Sequence, residues 1–361
     1  MKKIYPYSWT LKDAKFTKDQ GHVFSCFACG GGSSMGYKLA GFDIVGINEI
    51  DKKLIDAYTT NLDVEYVFDN PIQEFKNQEN LPESFFHLDI LDGSPPCSSF
   101  SICGRRDKDW GKKKKFREGQ MNQVLDTLFF DFIDLAKRLQ PKVIVAENVM
   151  GLILGNAQKY VTKIMEGFED AGYSGQYYLM NSAKMGLPQA RQRVFFIYLR
   201  NDLIPYIPLN ANSLFPSMPT LDLKYNAPKV IFSEIQDKED ISENLSPNLL
   251  KLWKLRTPKD HNFSSINERE FGKTSRFSTR LIYGEKTPGT LTAGNTVHVL
   301  NDTPRHLNEK EVRLIGSFPM DYNFLTNKPH YIVGMSVPPI MMATIANEIN
   351  QQWLKHIPQG I

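Results

Sequence analysis

Short apolar runs alternate with segments of helical spacing over the first 200 residues. Runs rich in β-branched and aromatic residues predict strands at 22–28, 42–48, 85–91, 141–146 and 194–199. Apolar positions at helical spacing predict helices at 33–40, 51–61, 122–139 and 161–171. This alternation indicates an α/β fold whose sheet is mostly parallel and covered by helices on both faces.

The strand–helix rhythm ends after Arg200. Residues 201–288 are rich in Pro, Asn, Ser, Lys and aromatic residues and show no βαβ period. Helical spacing returns at 308–315 and again at 340–354. We therefore predict a main domain formed by 1–200 plus 329–361, and a smaller one over 201–328 whose variable part is 201–300.

Composition indicates the size of the core and the cellular compartment. The 361 residues are 41% hydrophobic, which is enough for a sizeable core, and only four are cysteines, which favours a reducing cytoplasm over secretion. No run of 18 apolar residues predicts a membrane span, and the N-terminus lacks the apolar core of a secretion signal.

Positive charge is concentrated in two segments although the net charge is only +3. Residues 98–119 carry eight Lys or Arg against three acids, and residues 251–286 carry nine against four. Two basic segments on an otherwise acidic chain favour a polyanionic partner at one face. Lysine-rich loops that are simply solvated explain the same charges, and on charge alone neither interpretation wins.

A glycine-rich turn at Gly30, Gly31 and Gly32 joins the first strand to the first helix. Glu49 ends the next strand, where an acid can accept hydrogen bonds from both ribose hydroxyls. The spacing predicts an adenosine-type ligand, and the alternative is a tight turn without one. Cys26 and Cys29 form a lone CxxC, and because a zinc site needs four ligands we predict no metal.

Three further strand ends carry chemistry. Cys97 follows Pro95-Pro96, which fix the backbone that aims its thiol, and the basic loop after it would favour a thiolate. Glu147 closes an apolar strand, where a carboxyl can serve as a proton donor. Arg191 and Arg193 alternate by two and can point to one face. A merely structural cysteine stays the stronger interpretation of Cys97 taken alone.

In this order the motifs resemble those of the cytosine-C5 DNA methyltransferases over nearly the whole chain except 201–288. The resembling segments are Phe27-Ala-Cys-Gly-Gly-Gly, Pro95-Pro96-Cys97, Glu147-Asn148-Val149, Gln189-x-Arg191-x-Arg193, Thr290-Leu291-Thr292, Pro304-Arg305 through Pro319, and Gly334-Met-Ser-Val-Pro-Pro339. The resemblance implies a Rossmann-like S-adenosylmethionine-dependent methyltransferase sheet with a second, smaller target-recognition domain. Two positions depart from it: Cys29, where the family usually has Gly, and Met335, where it usually has Asn. We expect both to be tolerated; the alternative is altered affinity for the methionine end of the cofactor.

The resemblance also implies the chemistry. Cys97 would attack C6 of a flipped cytosine, Glu147 would hold N3 and the exocyclic amine, and Arg193 would bind O2. Arg191 would help to hold the catalytic loop and the cytosine. The implied S-adenosylmethionine contacts are Phe27, Gly30, Gly31, Gly32, Glu49, Ile50, Asp69, Pro96, Leu128, Ser336 and Val337. The expected DNA contacts are Ser98, Ser101, Arg105, Arg106, Lys113, Arg280 and Thr292.

The expected substrate is double-stranded DNA, bound by a monomer, in a prokaryotic or phage-encoded modification system. A partner restriction endonuclease acting independently is left open. Two alternatives remain: a tRNA cytosine-5 methyltransferase of the same family, whose recognition region is typically shorter than 201–288, and a catalytically impaired DNA-binding member. Arg280 would read guanine, or contact a phosphate instead.

Overall fold

The computed structural model describes residues 2–96, 113–114, 123–124, 127–208, 219–273, 279–294 and 297–361. The strands are β1 His22–Cys26, β2 Asp43–Asn48, β3 Tyr66–Phe68, β4 Ile90–Gly93, β5 Lys113–Lys114, β6 Gln123–Val124, β7 Val143–Val149, β8 Tyr173–Asn181, β9 Gln192–Arg200, β10 Arg280–Ile282 and β11 His298–Leu300. The helices are α1 Gly32–Leu39, α2 Lys52–Asn61, α3 Ile72–Phe75, α4 Leu128–Leu139, α5 Gln158–Asp170, α6 Pro247–Lys254, α7 Phe263–Phe271, α8 Glu309–Gly316, α9 Pro329–Met335 and α10 Pro339–Gln352.

Seven strands form the main sheet in the order β3-β2-β1-β4-β7-β9-β8. The pairs from β3 to β7 are parallel, whereas β9 runs antiparallel to both of its neighbours. The alternation of strands and helices in the sequence predicted this α/β sheet, and the prediction is confirmed. Along the chain α5 connects β7 to β8, and β9 then follows β8 through a short connection that contains no crossover helix, as antiparallel neighbours allow.

Three element boundaries differ from the sequence predictions. The strand predicted at 85–91 begins only at Ile90, because Glu83–Phe86 form a short 3-10 helix whose Phe85 is buried among aromatic rings. The helix predicted from residue 122 begins at Leu128, and Gln123–Val124 pair with Lys113–Lys114 as a strand. Glu147 and Asn148 lie inside β7 rather than after it. The apolar runs therefore predicted most of the buried positions but not the backbone conformation, and Phe86 in the first of them is exposed.

The two faces of the sheet carry separate apolar clusters. One face packs against α1 and α10, where Gly36 allows close approach: a Cβ there would lie 2.5 Å from the Pro339 carbonyl oxygen. The other face packs against α4 and α5 through Phe132, Phe168 and Phe196. The segment Pro329–His356 is long and apolar enough to be considered a membrane span, but 89% of its apolar 18-residue window is buried inside the fold, as expected for a core helix.

The segment after β9 adds a small unit with its own apolar cluster. Its members come from α6, α7, β10 and β11, and they are Leu252, Phe263, Ile266, Leu281, Tyr283 and Val299. An ion pair between Arg269 and Asp260 supports it at 2.6 Å. Leu203, Phe232 and Ile282 belong instead to the large cluster of the main sheet. The domain boundaries drawn from the sequence stay a prediction.

Candidate active site

The carboxyl ends of the parallel strands converge at one edge of the sheet. Register pairs Cys26 of β1 with Gly93 of β4, and Gly93 in turn with Ala146 of β7. The glycine-rich turn, the Ser94–Pro96 segment and Glu147 each come immediately after one of these positions. Ligands of open α/β sheets bind at the carboxyl ends of the strands, so this edge is the candidate active site.

A buried ion pair lies at this edge. The Nε atom of Arg193 donates to Oε1 of Glu147 at 2.8 Å, and their side chains are only 13% and 10% exposed. The antiparallel pairing places Arg193 opposite Val149, two residues beyond Glu147 on the same face of β7. Burial lowers the pKa of Arg193, and the neighbouring Glu147 carboxylate opposes that shift. The pair presents an acid and a cationic donor side by side.

The side chain of Asn148 fixes the segment that leads to Cys97. Its Nδ2 donates to the carbonyl oxygen of Pro95 at 3.0 Å, and its Oδ1 accepts from the amide of Val149 at 2.9 Å. Cys97, Ser98, Ser101, Arg105 and Arg106 lie outside the described residues, and Lys113 is described only as backbone of β5. Asn148 thus ties the end of β7 to the last described turn before the cysteine.

Asp92 is a buried carboxyl in β4 that the sequence analysis did not single out. It accepts hydrogen bonds from Ser25 Oγ at 2.8 Å and from Tyr37 Oη at 3.2 Å. Burial raises its pKa to about 7, and the Glu147 charge acts in the same direction. An acid between the apolar residues of a central strand was the available signal. Asp92 shares with Glu147 the face of the sheet that α1 covers.

The segment Phe27–Gly32, which includes the glycine-rich turn, contains three left-handed residues. Gly31 has φ 80°, and the non-glycine residues Phe27 and Cys29 have φ 55° and 50°. L-amino acids rarely adopt this conformation, so the turn is held by its contacts. The amide of Cys29 donates to Oε2 of Glu49 at 2.9 Å. Burial raises the pKa of the Cys29 thiol to about 12, which keeps it protonated.

Glu49 is anchored by three backbone N–H groups at the end of β2. Besides Cys29, the amides of Ile50 and Asp51 donate to its Oε1 at 2.8 and 2.9 Å. Burial raises its pKa, and these hydrogen bonds oppose the shift. Asp69 lies exposed immediately after β3, one strand further out. Two carboxylates at neighbouring strand ends fit the hydroxyl and amino donors of an adenosine.

The last expected cofactor motif packs directly on the glycine turn. A Cβ on Gly32 would lie 2.3 Å from the carbonyl oxygen of Val337 and 2.7 Å from Cβ of Ser336, so only glycine fits. Ser336 Oγ lies 3.7 Å from Sγ of Cys29. Met335, the other departure from the family pattern, is 38% exposed. The structure brings the two motifs together although 304 residues separate Gly32 from Ser336.

The remaining expected contacts differ in their exposure. Leu128 is the first residue of α4 and is fully buried in the core, whereas Pro96 is half-buried. A Cβ on Gly30 would lie 2.3 Å from the Ile332 side chain. Arg280 is exposed at the start of β10, and Thr292 is half-buried with an Oγ1 that has no hydrogen-bond partner among the described residues.

Arg191 lies just before β9 and is turned into the protein interior. Its residue surface is 1% exposed, and its two terminal nitrogens donate to the carbonyl oxygens of Leu291 at 2.9 Å and Gly334 at 3.0 Å. The resemblance had implied contacts with the cytosine and the catalytic loop. Among the described residues, Arg191 joins two distant segments of backbone, and its implied contacts with the cytosine and the catalytic loop stay a prediction.

The sequence profile of the C-5 cytosine-specific DNA methylases matches residues 21–351. The chain belongs to this family. The match covers every motif from the glycine-rich turn to Val337, so the recognition made from the sequence is confirmed. The protein is a DNA cytosine-5 methyltransferase, and enzymes of this family depend on S-adenosylmethionine.

Individual relatives agree with the family. The Type II methyltransferase M.NgoPII of Neisseria gonorrhoeae is 27% identical, over 91% of this chain and 95% of its own length. M1.HphI of Haemophilus parahaemolyticus is 28% identical over 90% of this chain and 85% of its own length. M.FnuDI of Fusobacterium nucleatum is 33% identical, but the match spans only 47% of that protein and 50% of this chain.

Solved structures share the fold of this cytosine-5 methyltransferase. A DNA modification methyltransferase encoded within an E. coli prophage has a TM-score of 0.62 at 21% identity, covering 92% of this chain and 99% of that one. Spodoptera frugiperda DNMT2 has a TM-score of 0.61 at 17% identity, with 90% and 98% covered. These identities are low enough that the likeness speaks to the fold alone.

Proposed function

We propose that the enzyme methylates C5 of one cytosine within a short specific sequence of double-stranded DNA, through a covalent bond between Cys97 Sγ and C6. The observation that carries this proposal is the buried Glu147–Arg193 pair. It lies at the sheet edge where β4 leads through Pro95 and Pro96 into Cys97. An acid and a cation side by side match the N3 and O2 atoms of cytosine.

Activation of the base is the chemical problem, because C5 of cytosine is a poor nucleophile. The Cys97 thiolate adds to C6, and its electron pair forms the S–C6 bond. The C5–C6 π electrons then become available at C5 and would form the bond to the methyl carbon as its bond to the sulfonium sulfur breaks, with S-adenosylhomocysteine as the leaving group. A base, which can be a water molecule, removes the C5 proton, and the thiolate leaves as the C5–C6 double bond returns.

Glu147 and Arg193 stabilise the base while this happens. The Glu147 carboxyl donates a proton to N3 as electron density moves onto the ring, and its other oxygen accepts from the exocyclic amine. The Arg193 guanidinium donates to O2. Asn148 acts on the approach instead, since its bond to Pro95 fixes the backbone that precedes the nucleophile.

S-adenosylmethionine supplies the methyl group when bound. Glu49 would accept from the ribose hydroxyls, and Asp69 from the adenine amine. The turn at Gly30–Gly32, together with Phe27, Ile50, Pro96, Leu128, Ser336 and Val337, would form the walls of this site. The close fit between Gly32 and Val337 supports a single cradle formed by both motifs.

Cys97 cannot reach C6 inside a stacked duplex, so the cytosine must be flipped out at a cost of a few kcal/mol. Phosphate contacts from the basic segment 98–119, including Ser98, Ser101, Arg105, Arg106 and Lys113, would offset that cost. Arg280 and Thr292 would contact the DNA as well. We further propose a cytoplasmic enzyme, monomeric on DNA, in restriction-modification or DNA modification; a partner endonuclease stays open.

The test is bisulfite sequencing of plasmid DNA from a host without cytosine methylation, after expression of the chain. We expect protection of one cytosine in one short motif, and none with Cys97→Ala. Expression of Arg200→Lys, a conservative change far along β9, is the control for protein level. Absence of protected cytosines with soluble wild-type protein would contradict the DNA proposal. Newly methylated cytosine in the tRNA of the same cells would then favour a tRNA methyltransferase.

A further inference from the structure

Arg191 is a buried cation whose hydrogen bonds go to carbonyl oxygens rather than to an acid. Its two terminal nitrogens donate hydrogen bonds to the carbonyl oxygens of Leu291 and Gly334, and Nε has no hydrogen-bond partner among the described residues. Burial lowers the pKa of Arg191, and the nearby Arg193 acts in the same direction. The Glu147 charge opposes this shift, but among the described residues the buried guanidinium makes its direct polar contacts with the two carbonyl oxygens, which fixes its position between them.

The residues before Arg191 form a seam with the segment that leads to Thr292. The amide of Ala190 donates to the Pro288 oxygen at 2.7 Å, and Thr290 Oγ1 donates back to the Ala190 oxygen at 3.2 Å. Gln189 accepts from the Leu291 amide through Oε1 at 3.2 Å. The position of 288–292 on the sheet is therefore set by the backbone and side chains of 189–191.

Gly334 lies between this seam and the cofactor motif. A Cβ on Gly334 would lie 2.4 Å from the Thr292 carbonyl carbon, so the two backbones are in direct contact. Two and three residues further along, Ser336 and Val337 touch Gly32 of the cofactor turn. A continuous path of contacts thus runs from the Thr292 backbone through Gly334 to the glycine-rich turn. Arg191 donates hydrogen bonds on both sides of the contact between Thr292 and Gly334, to the carbonyl oxygens of Leu291 and Gly334.

We propose that Arg191 is a positioning residue that couples DNA binding to cofactor binding. The inference rests on the proposed function, which assigns Thr292 to the DNA and Ser336 and Val337 to the cofactor. DNA bound at Thr292 would fix the Leu291 carbonyl oxygen, and cofactor bound at Ser336 and Val337 would fix the Gly334 carbonyl oxygen. Because one guanidinium binds both oxygens, fixing either oxygen favours the arrangement that binds the other ligand. Such coupling is reciprocal by thermodynamic necessity.

The experiment measures dissociation constants by calorimetry. That of S-adenosylhomocysteine is measured with and without a DNA duplex that carries the enzyme's target sequence, and that of the duplex is measured with and without S-adenosylhomocysteine. For the wild type we expect each ligand to tighten the other by about tenfold, within the range usual for coupled sites. In Arg191→Lys, which keeps the charge but loses the planar fork, we expect this ratio to fall close to one, while the two separate affinities change by less than the ratio does.

Two further variants keep the test decisive. Thr290→Val removes one seam hydrogen bond without changing a buried charge, and it replaces Arg191→Lys as the test variant if that protein does not fold. We expect it to reduce the ratio of affinities partially. Arg200→Lys, a guanidinium on β9 that bonds Asp202 and Gln140, should keep the wild-type ratio. An unchanged ratio in Arg191→Lys, or a wild-type ratio of one, would overturn the coupling role. A wild type that methylates no DNA would instead overturn the proposed function.

Discussion

The guanidinium of Arg193 and the carboxylate of Glu147 hold each other across the antiparallel pair of β7 and β9. Each group is nearly buried, so neither can lose its partner without leaving an isolated charge. The same two side chains form the surface against which a cytosine edge would bind. In the proposed mechanism, stability and catalysis therefore depend on this pair in different ways, and variants can separate the two effects.

Glu147→Gln is expected to reduce methyl transfer by about 10²- to 10⁴-fold, the usual contribution of a general acid. It should also destabilise the fold by about 3–5 kcal/mol because Arg193 remains buried without a counter-charge. Arg193→Met should destabilise comparably. The double variant should be more stable than the sum of the single losses implies, yet inactive. Urea unfolding and single-turnover rates give both readouts, and additive stability losses would contradict the pairing.

Cys29→Gly should raise the free energy of unfolding by up to about 1 kcal/mol. The left-handed conformation at φ 50° costs an L-residue about 1–2 kcal/mol, and the added freedom of an unfolded glycine takes back part of that gain. Cys29→Val should destabilise, because a β-branched residue fits this conformation worse. Thermal unfolding tests both.

The same Cys29→Gly variant separates the two interpretations of the departure from the family pattern. We expect its affinity for S-adenosylhomocysteine to match the wild type within measurement error. A clear change in that affinity, with the fold intact, would mean that the Cys29 side chain tunes the cofactor site.

A group of three histidines predicts acid sensitivity. Burial lowers the pKa of His298 to about 3, with His330 stacked on it and Arg280 nearby, and the pKa values of His306 and His330 are lowered as well. The unfolded chain binds these protons near pH 6.5 and the folded chain does not. The stabilising contribution of neutral His298 is therefore present above pH 6.5 and is lost as the pH falls toward 3, by about 1.4 kcal/mol per pH unit, and His306 and His330 act in the same direction.

His298→Leu should flatten this dependence, since neither ring nitrogen of His298 has a hydrogen-bond partner among the described residues. Its melting temperature should decrease less than that of the wild type between pH 7 and pH 5. His87→Leu, at an exposed histidine, is the matched control and should follow the wild type. Equal slopes for all three proteins would contradict the assignment.

Arg280→Ala should relax the choice of sequence if its guanidinium reads guanine O6 and N7. The loss of such a bidentate contact typically costs 1–3 kcal/mol at one position. Competition binding on the methylated sequence and its single-base variants measures this. Lys286→Ala, a cation that lies over the Tyr283 ring, is the comparison. An equal loss on all sequences would identify Arg280 as a phosphate contact.

The sequence predicted which residues lie at the sheet edge wherever a polar residue follows an apolar run. Glu49 and Glu147 stand out against apolar runs, and parallel topology then brings such residues to one edge. The order of the motifs added the family. Edge strand β8 escaped notice because Tyr177 and Leu179 are exposed, which obscures its alternation.

The sequence was insufficient where a side chain chooses distant partners. Arg191 bonds backbone at positions 291 and 334, and no local pattern encodes which carbonyl oxygens will be there. The partners of Asp92 come from β1 and α1, so its role depends on packing that is fixed only when the sheet forms. The catalytic and binding roles of the site residues themselves remain predictions.

The most direct test of the account uses duplex DNA in which the target cytosine is replaced by 5-fluorocytosine. Fluorine at C5 cannot leave as a proton does, so an enzyme that has attacked C6 and transferred methyl stays attached. We predict a denaturation-resistant adduct that requires S-adenosylmethionine, maps by peptide mass spectrometry to Cys97, and is absent from Cys97→Ser. Methylation of ordinary DNA by Cys97→Ser, or an adduct that maps to another residue, would contradict the proposed mechanism.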